Sequence, residues 1–87
     1  MKSEYTEAQR AAVSLYLWHQ RRFQELDTQS EELLSEGNHT LRKEILKDVD
    51  RQRCRLEGMR DMAEAMGFSK AALLKAVREA AKDSSSP

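Results

Sequence analysis

The chain has 87 residues, and its 15 Lys and Arg balance 15 Asp and Glu, so the formal net charge is zero. This length allows one small domain with a marginal core, and one Cys excludes a framework of intramolecular disulfides. No apolar stretch approaches the roughly 20 residues of a membrane span, and no signal peptide is apparent. We therefore expect a cytoplasmic protein with no membrane partner.

The first predicted helix covers about residues 3–36, with Ser3 as its cap. Its apolar residues recur at spacings of three and four, which is typical of one face of an α-helix. Thr28 and Glu31 match a capping box that would divide this segment, but no Gly or Pro enforces a stop, so we expect one continuous helix. The apolar stripe comprises Tyr5, Ala8, Ala12, Leu15, Tyr16, His19, Phe23, Leu26 and Leu33.

The second predicted helix covers about residues 41–66 and follows a break at Gly37 and Asn38. Gly37 suits the left-handed residue that often ends a helix, and either Asn38 or Thr40 can cap the helix that follows.

The third predicted helix covers about residues 70–82 and follows a second break at Gly67. Ser69 is a good N-cap, and Phe68 before it can pack on the first turns of the helix. Residues 1–82 are expected to form one helical domain, and the polar residues 83–87 are predicted to be a disordered tail.

A short Gly-Asn connection favours antiparallel packing of the first two helices, with residue i facing roughly residue 77 − i. This register places Phe23 beside Cys54. It also places Gly58 next to Trp18 and His19, where the missing side chain would make room for the rings. The predicted fold class is therefore all-α: a long antiparallel helical hairpin plus a short C-terminal helix, with dimerisation as one way to complete the core.

Charge is distributed unevenly between the two helices of the predicted hairpin. Residues 25–36 carry five acids and no base, whereas residues 42–55 carry six bases and three acids. We expect ion pairs between the helices to select the register, although each exposed pair contributes only about 0–1 kcal/mol. Four arginines that could otherwise bind phosphates would be engaged in this pairing, namely Arg51, Arg53, Arg55 and Arg60.

Apolar residues cover more than half of the circumference of the first helix between Leu15 and Trp18, which is more than one seam can bury. Because the third helix is short and has small side chains, we expect part of this surface to bind a protein partner or a second copy. The predicted interface residues are Val13, Leu17, Trp18 and Arg21. In the alternative, the third helix covers Leu17 and the chain is a monomeric three-helix bundle.

Residues 62–78 contain Ala63, then Gly67 four residues later, then the apolar Phe68 and the capping Ser69. With Leu73 and Val77, this pattern resembles the helix-turn-helix of bacterial DNA-binding regulators. The resemblance implies that the second helix of the motif enters the major groove by its N-terminal end. The residues that it assigns to DNA are Lys70, Ala71, Ala72 and Lys75 at the groove and Arg78 at the phosphates.

Met66-Gly67-Phe68 and Leu74-Lys75-Ala76-Val77 also resemble the first corner of a ubiquitin-associated domain, which implies contact of the Met-Gly-Phe loop with ubiquitin. The simplest alternative is an ordinary tight corner between two helices, which uses the same Gly, apolar and Ser residues.

Residues that could carry out chemistry are sparse. His19, His39 and Cys54 share no metal-ligand spacing, and no phosphate-binding Gly loop or Ser/His/Asp set is apparent. We expect His19 to be a hydrogen-bonded core imidazole, and we expect no cofactor, metal or small-molecule substrate. The sequence therefore favours a non-enzymatic protein–protein interaction module of the regulator, adaptor or inhibitor type that self-associates. The alternative is a DNA-binding regulator that uses Lys70, Lys75 and Arg78.

Overall fold

The computed structural model describes residues 5–85. It contains three helices, α1 (Glu7–Glu36), α2 (His39–Ala65) and α3 (Lys70–Ser85). α1 and α2 pack along each other as a hairpin, and α3 contacts both of them. The predicted all-α fold, a long helical hairpin followed by a short C-terminal helix, is confirmed.

α1 begins later than predicted because its N-cap is Thr6. Thr6 Oγ1 accepts a hydrogen bond from the Gln9 backbone N–H at 3.1 Å, and Gln9 Oε1 accepts one from the Thr6 N–H at 3.0 Å. This reciprocal capping box satisfies two N–H groups that a helix start leaves free. The predicted cap, Ser3, lies outside the described residues. The helix continues through Thr28, as predicted, and the Thr28 hydroxyl donates to the Gln24 carbonyl one turn earlier at 3.0 Å.

The turn between α1 and α2 follows the predicted chemistry. Gly37 adopts a left-handed conformation with φ of 76°, and its N–H donates to carbonyls of the last turn of α1. Asn38 Oδ1 then accepts from the Leu41 N–H at 3.3 Å, so Asn38 rather than Thr40 caps α2.

The corner between α2 and α3 uses Gly67, which has φ of 91°. Ser69 Oγ accepts from the Ala72 N–H at 3.2 Å and caps α3, as predicted. α3 extends to Ser85, so the helix includes three residues that were assigned to the tail. Residues 86–87 lie outside the described part of the chain.

The core lies at the open end of the hairpin, where α3 packs on it. Its buried members are Val13, Tyr16, Leu17, Leu56, Ala63, Phe68, Leu73, Ala76 and Val77. α3 is about 24 Å long and α1 about 45 Å, so α3 covers roughly half of the hairpin. Towards the turn, α1 and α2 form only a two-helix layer, in which Leu26, Ser30 and Val49 are buried.

Val13 and Leu17, which the sequence predicts as interface residues, are covered by α3 instead, as in the alternative in which the third helix covers Leu17. They are 7% and 8% exposed and belong to the same buried cluster as Ala76 and Val77 of α3. The small side chains of α3 allow it to approach α1 closely, so a short helix is enough to cover this side.

Two predicted contacts within the hairpin are also wrong. Cys54 is exposed rather than packed on Phe23. Gly58 is exposed too, and apart from its own turns of helix, no atom of residues 5–85 lies within 4 Å of the position that a Cβ would take. Gly58 therefore does not make room for Trp18 or His19 of its own chain.

The predicted ion pairs between α1 and α2 are absent among residues 5–85. The described residues form other ion pairs instead. Four of these join residues one turn apart in the same helix: Arg22–Glu25, Glu44–Lys47, Asp48–Arg51 and Asp50–Arg53. The remaining pair joins Lys70 of α3 to Asp61 of α2 at 3.2 Å. Because these charged side chains are exposed on the outside of the hairpin, a neighbour three residues away is closer than the opposite helix.

Candidate interaction surface

Four large apolar side chains are exposed at the open end of the hairpin. Leu15 and Trp18 of α1 are 54% and 61% exposed, and Met62 and Met66 of α2 are 68% and 73% exposed. We call these four residues the apolar face. Three further exposed leucines, Leu34, Leu41 and Leu46, lie nearer the turn.

Helical geometry places the α1 part of the apolar face on the side of the hairpin away from α3. Val13 and Leu17 contact the α3 cluster. An α-helix turns by about 100° per residue, so Leu15 lies roughly 200° around α1 from each of them. Trp18 lies one turn beyond Leu15.

A shallow groove between α1 and α2 indicates that Met62 and Met66, the α2 part of the apolar face, lie on the same side of the hairpin as Leu15. The groove has a volume of about 210 Å³, and its lining includes Ala8 and Ala12 of α1 and Met66 of α2. Ala8, Ala12 and Leu15 follow one another on a single stripe of α1. Met62 precedes Met66 by one turn on α2, so in this antiparallel pair it lies level with Leu15.

Trp18 is the exposed end of a chain of contacts that crosses the hairpin. Its indole packs edge-on against the His19 ring, with centroids 4.8 Å apart and an interplanar angle of 88°. His19 Nδ1 forms a 3.1 Å hydrogen bond with Gln52 Oε1 of α2. The predicted hydrogen bond of His19 is thereby confirmed. An aromatic side chain that is already ordered loses less entropy when it binds a partner.

Gly58 lies one turn before Met62 on the same stripe of α2. It is exposed and lies inside a regular helix, with open space where a side chain would be. In such a position Gly destabilises a helix by about 0.5–1 kcal/mol relative to Ala. No contact among residues 5–85 offsets this cost, so Gly58 leaves a recess over bare backbone next to the apolar face.

The predicted interface residues fall into two groups. Trp18 and Arg21 are exposed and lie one turn apart, whereas Val13 and Leu17 belong to the core. The sequence does not identify Leu15, Met62 and Met66 as surface residues, because Leu15 belongs to the apolar stripe and the predicted register places it beside Met62 in the seam between α1 and α2. No local signal shows which edge of a broad apolar stripe the third helix will cover.

Arg60 has a structural role that the sequence does not reveal. Its Nη1 donates a 2.9 Å hydrogen bond to the hydroxyl oxygen of Tyr16, whose side chain is 1% exposed. The prediction that Arg60 pairs with acidic residues of the first helix is wrong, because the partner is a buried phenol.

The residues that the helix-turn-helix resemblance assigns to DNA lie on the α2–α3 corner. Lys70 Nζ pairs with Asp61, while Lys75 and Arg78 are exposed and one turn apart on α3. Phe68 is buried and tilts against the Tyr5 ring at a centroid distance of 5.9 Å. The corner is thus anchored in the core by the residue that the sequence identifies as apolar.

No family model, curated protein or solved structure matches this chain. Within the described residues, no helix has the length and apolar character needed to cross a membrane. Residues 5–85 also contain no group of three or more His, Cys, Asp or Glu that could hold a metal ion.

Proposed function

We propose that this chain is a non-enzymatic protein–protein interaction module and that the apolar face is its binding surface. The observation that carries the proposal is the exposure of Leu15, Trp18, Met62 and Met66 on one side of the hairpin. At roughly 200 Å² for each fully exposed side chain of this size, the four present about 500 Å² to solvent. A patch of this size is at the upper end for a monomer and is often functional.

The chemistry of these side chains suits protein binding. Trp is among the residue types that most often dominate the energy of an interface. Met is flexible and polarisable, so Met62 and Met66 can adapt to the shape of a partner. Trp18 is already oriented by His19 and Gln52, which lowers the entropy lost on binding.

The overall shape supports the same proposal. The radius of gyration is 15.5 Å, and the extents are 51 × 34 × 17 Å. A compact domain of this length would have a radius of gyration of about 12 Å. A chain this elongated and thin buries little of its apolar surface alone, so burial against another protein would add stability.

Site-specific photo-crosslinking in cells that express the full chain tests this proposal. A photoreactive amino acid replaces Leu15 in the apolar face or, as a matched control, Leu46, an exposed leucine on roughly the opposite side of α2 from Met62. We expect a defined protein adduct from position 15 that disappears when Trp18→Ala is added, and no such adduct from position 46. Equal labelling from both positions, or none from position 15, would refute the proposal.

A competing proposal is a DNA-binding regulator that uses the α2–α3 corner. The exposure of Lys75 and Arg78 on one side of α3 favours it. The small Ala71 and Ala72 between the basic residues offer no hydrogen bonds to base edges, which weakens it. Affinity for duplex DNA that falls steeply with salt and is reduced by Lys75→Ala would favour this function over protein binding.

A further inference from the structure

We infer that the partner of the apolar face is a second copy of this chain, with Trp18 of each copy packed into the recess at Gly58 of the other. The two hairpins would stack face to face as a four-helix bundle, and α3 of each copy would remain on the outside. This inference rests on the proposed function, because it identifies the protein that the apolar face binds.

A two-fold axis parallel to the helices brings Trp18 and Gly58 together. The turn joins Glu36 of α1 to His39 of α2, so residues whose numbers sum to about 75 lie at about the same level of the hairpin, as Tyr16 and Arg60 do. Trp18 is two residues further along α1, and Gly58 is two residues earlier along the antiparallel α2, so they also lie level. The two-fold axis places α1 of one copy over α2 of the other without a shift along the helices. Each Trp18 indole then lies over the partner's Gly58.

This packing gives Gly58 a role that the isolated chain does not. A Cβ at Gly58 meets no residue from elsewhere in the described part of the chain, so crowding within residues 5–85 does not require Gly there. A bulky indole can approach a helix closely where the backbone carries no side chain. Met62, one turn away, would then form one wall of the recess.

The charge distribution selects this arrangement over the other face-to-face dimer. Residues 25–36 of α1 carry five acids and no base, and residues 42–55 of α2 carry six bases and three acids. No ion pair among the described residues joins α1 to α2 within one chain. Stacking α1 over the partner's α2 places the acidic stretch on the basic stretch. In the other dimer, with α1 over α1, the two-fold axis crosses the helices and the turns lie at opposite ends, so the acidic stretch of one copy does not meet the basic stretch of the other.

The area of the apolar face fits a dimer of this kind. Two copies of a patch of about 500 Å² would bury roughly 1,000 Å², which is near the lower bound for a specific interface. The charged residues that flank the apolar face towards the turn would add to this area. We therefore expect a reversible dimer whose population depends on concentration.

Sedimentation velocity and Trp emission across a concentration series test the inference with the full chain. Trp18 is the only Trp, so its emission reports on the apolar face alone. We expect the wild-type mass to rise from one chain to two, with a parallel shift of the emission to shorter wavelength as the indole leaves water. Gly58→Leu, which fills the recess with a good helix former, should raise the dissociation constant at least tenfold. The control Ala71→Leu, on the exposed side of α3, should behave like the wild type.

Three results would overturn the inference. The first is the mass of a single chain at every concentration. The second is a dimer in which the emission of Trp18 does not change. The third is a Gly58→Leu variant of unchanged helicity that dimerises as tightly as the wild type. A monomer that nevertheless gives the Trp18-dependent adduct with a different protein in the crosslinking experiment would overturn the second copy as partner and leave the proposed function standing.

Discussion

Replacing Gly58 with Ala should stabilise the isolated chain. Gly58 lies inside α2, its backbone is helical, and a Cβ there would meet no other part of the described chain within 4 Å. The new methyl group therefore causes no clash, and the full difference in helix propensity, about 0.5–1 kcal/mol, is gained. In a domain of this size, such a gain raises the melting temperature by about 2–8 °C.

The assay is thermal unfolding followed by far-ultraviolet circular dichroism at the lowest workable concentration, where the chain is monomeric. Gly37→Ala is the matched control, because it makes the same chemical change at a residue whose φ of 76° strains any side chain. We expect Gly37→Ala to lower the melting temperature while Gly58→Ala raises it. A decrease for Gly58→Ala would refute the reasoning, since it would mean that another part of the chain packs against Gly58.

The remaining predictions concern packing, one buried hydrogen bond and one surface ion pair. Leu17→Ala should lower the free energy of unfolding, measured by chemical denaturation, by about 2–5 kcal/mol because α3 buries Leu17. Leu15→Ala should lower it by less than about 1 kcal/mol at low concentration, because Leu15 is exposed. Similar losses for both variants would contradict the position of α3. Tyr16→Phe should lower the free energy of unfolding by about 1 kcal/mol because Arg60 loses its acceptor. A double-mutant cycle should show coupling between Tyr16 and Arg60. Additive effects of the two substitutions would argue against the hydrogen bond. Asp61→Asn breaks an exposed ion pair and should change stability by less than about 0.5 kcal/mol, and a larger loss in the same assay would mean that this pair holds the α2–α3 corner.

The local signals for helix ends were readable from the sequence. Gly37 and Gly67 both adopt positive φ, and Asn38 and Ser69 both cap the helices that follow them. These features act within one turn of the chain, so the residues alone predict them. The start of α1 was misplaced because Thr6 and Gln9 form a capping box in which Gln takes the place usually given to Glu.

Contacts between residues far apart in the sequence cannot be predicted from local patterns in this way. The Tyr16–Arg60 bond joins residues 44 positions apart, and neither residue type signals the other. Broad apolar coverage of α1 showed that a second contact was needed, but not that α3 would take the edge containing Leu17 and leave Leu15 exposed. The charge asymmetry suggested pairing within the hairpin, whereas side chains on the outside of a helix reach their own neighbours first.

Amide and indole NMR spectra of the unmodified chain, recorded from dilute to concentrated solution, show whether the apolar face binds a second copy. We predict that the largest concentration-dependent shifts occur at the Trp18 indole N–H and the Gly58 amide, with smaller changes near Met62. Spectra that do not change with concentration, or changes confined to Lys70, Lys75 and their neighbours on α3, would contradict the account.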